Sequence, residues 1–256
     1  MPLAGSFEEI LGFHETRNFG ASGFREVTLT VLSNSAQAFT YRISHVWKAA
    51  DGVCSSLYYL TEPSVLEGTT VLMVERPRIS AMDIWLRLRT ARGAIRIDPS
   101  RHDQFVLGTD FTYEDLRFWL PTDTFAVDRF ALSSDTGHPH CTIWAEQMTR
   151  SGTRSKVMVI LHGTEWLPLT IEWREEPSNI PRRIYSATDL IAIDGTWTPR
   201  LISIHRPRER YQSVMSLTKA RCGIAIDDST LQMENMTRLS RPLFDSLANG
   251  AQRIAE

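Results

Sequence analysis

The 256-residue chain carries 28 Lys+Arg against 30 Asp+Glu, a formal net charge of −2, and so lacks the basic field typical of nucleic-acid binders. With 42% hydrophobic and 23% charged residues it has the composition of a globular protein able to bury a sizeable core. The longest aliphatic run, Val157-Met-Val-Ile-Leu161, falls far short of the ~20 residues a membrane-spanning helix needs, so no integral membrane protein is expected.

The chain opens with Met1-Pro-Leu-Ala-Gly-Ser6, which has neither the basic nor the apolar region of a secretion signal. That leaves two readings open, a cytoplasmic protein or a mature form with a start Met added. Ser6 to His14 reads as a short helix, with Ser6 as cap and Glu9 at the capping-box position. From Phe24 the hydrophobic period changes from 3.6 to 2. Val27, Leu29 and Val31 alternate with Glu26, Thr28 and Thr30, and Phe39, Tyr41, Ile43, His45 and Trp47 alternate with Thr40, Arg42 and Ser44.

Strand patterns continue through Leu57 to Leu60, Thr70 to Glu75, Ile84 to Arg89 and Ala94 to Ile97. They resume at Ala126 to Leu132, Thr142 to Met148, Lys156 to Leu161, Leu169 to Arg174, Arg183 to Ile193, Arg200 to His205 and Gln212 to Thr218. Short turns such as Asp51-Gly52, Glu67-Gly68, Arg92-Gly93 and Asp194-Gly195 separate them. Short connections imply an antiparallel meander, because parallel strands need long crossovers. No repeat or linker divides the chain, so residues 1–256 are expected to form a single domain, with a terminal helix from Ser240. A sheet this large tends to curl, and the expected fold is mainly β (α+β): one large, strongly curved antiparallel sheet with two or three short helices that can fill its concave side, leaving a groove or cavity between sheet and helices.

Between the two strand series lies Leu107-Gly-Thr-Asp-Phe-Thr-Tyr-Glu-Asp-Leu116. Thr109 or Asp110 can cap a short helix, with Asp110, Glu114 and Asp115 in or near its first turn, where the helix dipole favours negative charge. Phe111, Leu116 and Trp119 recur at helical spacing and give it one apolar face. Helix capping accounts for the three carboxylates; acid–base work would require one of them to be buried apart from the others.

This segment resembles the GSDFSYEDL-type stretch of the outer-membrane lipoprotein-sorting (LolA-like) family. Further blocks are similar to that family in the same order: Leu60-Thr-Glu-Pro-Ser-Val-Leu-Glu-Gly-Thr-Thr-Val-Leu72, Asp83-Ile-Trp-Leu-Arg-Leu88 followed by Gly93 to Ile97, Glu165-Trp-Leu-Pro-Leu-Thr-Ile-Glu172, and Ile193-Asp-Gly-Thr-Trp-Thr-Pro-Arg200. The resemblance implies an incomplete barrel whose helices cover a cavity for acyl chains. It also implies a periplasmic location, a lipid or acylated lipoprotein as partner, exchange with a membrane transporter, and no cofactor. Candidate cavity or lid residues are Tyr41, Trp47, Tyr59, Leu72, Trp85, Leu86, Phe111, Trp119, Trp144 and Trp173, each of which a packed core would also explain.

Other clusters point to no chemistry. His138-Pro-His140-Cys141 offers zinc-compatible ligand types but no second pair, and Cys54, Cys141 and Cys222 contain no C-x-x-C, so no metal is expected. Three buried thiols are the simpler reading, with one disulfide as the alternative. Arg87, Arg89, Arg92 and Arg96 surround one hairpin, where charge can protect a sheet edge or meet lipid head-groups. No P-loop, dinucleotide fingerprint or G-x-S-x-G elbow is present. The function that the family resemblance implies is that of a non-catalytic lipid or lipoprotein acyl-chain carrier of the bacterial cell envelope. Two rivals are kept beside it, a small-molecule enzyme reusing the cavity and an envelope sensor or adaptor.

Overall fold

The computed structural model describes residues 21–33, 36–76, 81–117, 125–133, 140–148, 152, 154–162, 166–175, 178 and 180–254. The helix expected at Ser6 to His14, the lid residue Trp119 and His138 lie outside the described residues. The strands are β1 (Ser22–Ser33), β2 (Ala36–Ala50), β3 (Val53–Glu62), β4 (Thr70–Arg76), β5 (Ala81–Arg87), β6 (Ile95–Arg96) and β7 (Phe125–Ser133). Then come β8 (His140–Met148), β9 (Arg154–His162), β10 (Pro168–Arg174), β11 (Arg183–Ile193), β12 (Thr196–Arg206), β13 (Tyr211–Cys222) and β14 (Gln252–Arg253). One helix, α1 (Arg241–Ala248), stands among the described residues, in the expected terminal position.

All fourteen strands join one sheet in the order β6-β5-β4-β3-β2-β1-β13-β12-β11-β10-β9-β8-β7, with β14 added beside β13. Two meanders therefore meet at the antiparallel β1–β13 pair, which runs from Gly23↔Cys222 to Ser33↔Tyr211. The sheet does not close, and matches the expected incomplete barrel. Register shifts at Glu26/Val27, Val31/Leu32 and Arg42/Ile43 fall in its central strands, and each bulge bends and twists its strand.

This order has one topological consequence. β6 and β7 are neighbours in sequence but form opposite edges of the sheet, and the described part of the chain between them, residues 97–117, lies over one face. We call the face it covers the inner one. There, Val27, Leu29, Val31, Tyr41, Ile43, Met73, Ile84, Ile204 and Met215 pack against Val106, Phe111 and Tyr113 of the crossing segment. The opposite, outer face is sealed differently. Phe24, Val46, Leu57, Tyr59 and Leu72 pack beneath the carboxy-terminal tail, with Ile226, Leu231, Met236 and Phe244 of α1.

The crossing segment departs from the helix expected of it. Among the described residues of the Thr109–Trp119 stretch, only Glu114–Leu116 forms a 3₁₀ turn, and Arg117 is already extended at ψ 152°. The carboxylates are engaged elsewhere: Asp110 is bound by groups on β12 and β13, and Asp115 turns back onto Thr112. Leu107 and Gly108 adopt φ of 50° and 74°, which also breaks helical continuity.

Gly23 illustrates how tightly the inner face is filled, since a Cβ there would overlap the Trp47 indole. Replacing Gly23 by Ala should destabilise the protein by about 1–3 kcal/mol through forced displacement of that ring. On the outer face Phe244 is fully buried and stacks on Tyr59 at 4.3 Å. Phe244→Ala should cost about 3–5 kcal/mol. Urea titration of both variants measures these losses, and an unchanged midpoint for Phe244→Ala would mean that α1 does not seal this face.

Candidate functional site

On the inner face, apolar walls, buried charges and open space coincide. Two pockets lie on either side of the crossing segment. One, of about 30 Å³, is enclosed by Leu29, Tyr41, Ile43, Leu60, Val71 and Val106. The other, of about 120 Å³, is walled by Trp47, Leu167, Tyr185, Ile202, Met215 and Leu217, with Arg25, Asp115 and Arg117 at its polar side. Tyr58, Phe111, Leu116 and Met215 border both. Since a water molecule occupies ~30 Å³ of liquid, the larger space admits a short apolar group but not a whole acyl chain.

Polar latches hold the segment across these pockets. Arg206 Nε donates to Asp110 Oδ1 at 2.6 Å, and the Ser213 hydroxyl donates to Asp110 Oδ2 at 2.7 Å while accepting from the Asp110 amide at 2.9 Å. Arg183, stacked on Trp173 at 4.5 Å, pairs with Asp115, whose carboxylate also accepts from the Thr112 amide at 2.6 Å. Arg117 bridges two carboxylates, Glu114 at 2.9 Å and the fully buried Glu75 of β4 at 3.3 Å. Tyr41 and Tyr58 donate their hydroxyls to the carbonyls of Leu107 and Leu116, at 3.0 and 2.8 Å. Asp110 and Asp115 are therefore anchors to the sheet rather than helix caps, while Glu114 pairs with Arg117 of its own segment.

At the base of the larger pocket, Arg25 Nε donates to His45 Nδ1 at 2.7 Å. The His45 ring stacks between Tyr58, 4.0 Å away, and Trp47, 5.3 Å away. Burial, reinforced by the Arg25 cation, holds His45 well below its ordinary value of 6.5. Burial likewise pushes the Tyr58 hydroxyl up to about 12, against the opposing pull of Arg25. Both groups are thus neutral at neutral pH. The thiols of Cys54, Cys141 and Cys222 are raised by burial. No group of three or more metal-ligating side chains occurs among the described residues.

The residues singled out in the sequence fall on both faces. Tyr41, Trp47, Leu86, Phe111 and Trp173 belong to the inner face, and Trp47 and Phe111 border the larger pocket. Tyr59, Leu72 and Trp85 pack on the outer face under the carboxy-terminal tail. Trp144 also points outward, beneath the Arg129 guanidinium at 4.2 Å, beside an open groove of about 660 Å³ that includes Lys156 and Met158. Sequence reasoning missed Arg25, Tyr58, Arg117, Arg183, Arg206 and Ser213. Arg183 and Ser213 sit where the strand alternation places inward side chains, the one signal that could have found them.

Two measurements probe these latches. Removing one partner of a buried ion pair leaves the other uncompensated, so Asp110→Ala should lower unfolding free energy by about 3 kcal/mol. Urea denaturation would show it, and a loss below the experimental error would mean that Asp110 does not anchor the segment. For His45, the unfolded state binds a proton near pH 6.5 while the folded state does not. Stability should therefore fall as pH drops below 6.5, by at most ~1.4 kcal/mol per pH unit from this group. His45→Gln should flatten that slope, and parallel slopes for the two proteins would contradict it.

Comparisons with known proteins place this geometry. A family model described as an uncharacterized protein matches residues 52–238. No curated protein matches the chain. Among solved structures, a Vibrio parahaemolyticus domain named for outer membrane lipoprotein sorting is similar at TM-score 0.78 and 15% identity, covering 90% of this chain and 97% of that one. A DUF1329 family protein from Desulfovibrio piger is similar at TM-score 0.73 and 16% identity, covering 89% and 96%. A LolA superfamily protein from Nitrosomonas europaea is similar at TM-score 0.67 and 18% identity, covering 90% and 99%. The chain therefore has a LolA-like fold and belongs to the family that the matching model describes as uncharacterized.

Proposed function

We propose that this protein is a non-catalytic carrier that shelters the acyl chain of a lipid or lipoprotein between its inner sheet face and the crossing segment. The observation that carries this reading is that Phe111 and Leu116 wall both pockets. Moving one segment would join the two spaces into a continuous apolar tunnel. Each methylene buried there would contribute about 0.8 kcal/mol, enough over a chain for tight binding without a covalent bond. The fold shared with a domain named for lipoprotein sorting supports the same reading. By the same likeness, the carrier works in the periplasm and exchanges its cargo with a membrane transporter.

The latches suit reversible opening. Apolar packing alone would hold the segment in many near-equivalent positions, whereas paired charges return it to a single one. Opening also exposes Asp110, Asp115 and their arginines to water, which offsets part of the lost pairing.

Titration with a fluorescent fatty acid tests the reading. The unmodified protein should bind the probe, and Ile202→Trp, which fills the larger pocket, should weaken binding about tenfold with an unchanged circular dichroism spectrum, the loss of one or two methylenes' worth of burial. Absence of binding, or equal binding by a folded Ile202→Trp variant, would overturn the carrier assignment.

A further inference from the structure

Ten large hydrophobic side chains are exposed among the described residues. Trp197 lies in the β11–β12 hairpin at one end of the sheet, and Met233 on the outer-face tail. The other eight gather at the opposite end. That end is fixed by the antiparallel register: Tyr211 pairs with Ser33, Arg42 with Glu62, and Thr70 with Arg87. The β1–β2, β3–β4, β5–β6, β8–β9, β10–β11 and β12–β13 turns therefore share one rim. Val65 is 70% exposed in the β3–β4 turn, and Phe39 and Ile95 are each 59% exposed. Leu88, Ile180 and Tyr211 continue the series along neighbouring turns.

Charge at this rim is opposite in sign to that of the chain as a whole. Its described turns carry Arg89, Arg92, Arg182, Arg208 and Arg210. They carry only three glutamates: Glu67, which meets Arg241, Glu175, which meets Arg182 and Arg208, and Glu209. Arg87 and Arg89 hydrogen-bond to the carbonyls of Gly68 and Ser64, groups that orient a guanidinium without neutralising it. These two bonds tie the β5–β6 turn to the β3–β4 turn and set Val65 and Leu88 on adjoining turns.

We propose that this rim docks on an anionic phospholipid surface, the exposed aliphatic and aromatic side chains entering the interface and the arginines meeting the phosphates. Scattered exposed hydrophobics need no explanation, but eight of ten on one rim do. Apolar contact and basic charge are the two signals whose combination gives stable attachment to a membrane surface, each being weak alone. A rim built for another copy of this chain, or for another protein, would not need Arg89, Arg92 and Arg210 left facing solvent with no carboxylate partner among the described residues. The crossing segment reaches this rim: Phe105 lies under Arg206, the arginine that latches Asp110. The docking surface is thus continuous with the crossing segment, although attachment itself requires no cargo and stands apart from the carrier reading.

The test is sedimentation of the full-length protein with vesicles of phosphatidylglycerol and phosphatidylethanolamine, and separately of phosphatidylcholine alone. Binding should favour the anionic vesicles, weaken as salt is added, and fall about tenfold or more in Arg89→Glu/Arg92→Glu. Val65→Asp/Leu88→Asp should weaken it similarly by removing the inserted side chains. Circular dichroism confirms that these surface variants fold, and the salt and lipid comparisons need no variant. Absence of binding, equal binding to phosphatidylcholine, or folded variants that bind as the parent does would overturn the proposal. A dimer in solution that is lost in Val65→Asp/Leu88→Asp would overturn it too, by assigning the rim to a second copy of the chain.

Discussion

The crossing from β6 to β7 governs this molecule. Two strands adjacent in the chain occupy opposite edges of one sheet, so the described residues between them, 97–117, are not a surface turn. They must lie over the inner face, and they carry Asp110, Glu114 and Asp115 with them. Burying carboxylates is unfavourable unless each finds a cation. The sheet supplies those cations on strands far away in sequence, Arg183 on β11 and Arg206 on β12, while Arg117 reaches Glu75 on β4. Pockets, latches and the position of the segment all follow from this single connection.

The two faces are held together by different physics. Beneath the carboxy-terminal tail, Phe24, Leu57, Leu72, Met236 and Phe244 form an apolar core that offers little to open. The inner face mixes the same kind of apolar side chains with ion pairs and tyrosine hydroxyls that bind carbonyls of the crossing segment. Buried ion pairs add little net stability over well-packed hydrophobics, but they specify one arrangement among several. A face built this way can be displaced and can return, as a carrier needs. On the proposed carrier reading, the outer face would be the frame against which that displacement occurs.

Much of the frame was legible in the sequence. Period-2 alternation and glycine-bearing turns located the strands from Phe24 onward, and short connections made them antiparallel. Alternation also separated the side chains of each strand into two sets. It could not say which set faces a pocket, because both faces are covered here, so Tyr59, Leu72 and Trp85 were grouped with Tyr41 and Leu86 although they pack on the other side. The segment around Asp110 misled for a related reason. Its local pattern fits a capped helix, but its partners Arg206 and Ser213 stand 96 and 103 residues away. Local sequence does not reveal long-range charge pairing, and that pairing outweighed the helical preference.

The most direct test of the central claim is to map where an apolar chain sits. A fatty acid bearing a photoreactive diazirine at its tail would be cross-linked to the protein, and the labelled peptides identified by mass spectrometry. The carrier account predicts labels on Phe111, Leu116, Ile202 and Met215, the residues that wall the space under the crossing segment. Labels confined to the outer face, or scattered over the surface without excess at these positions, would contradict it.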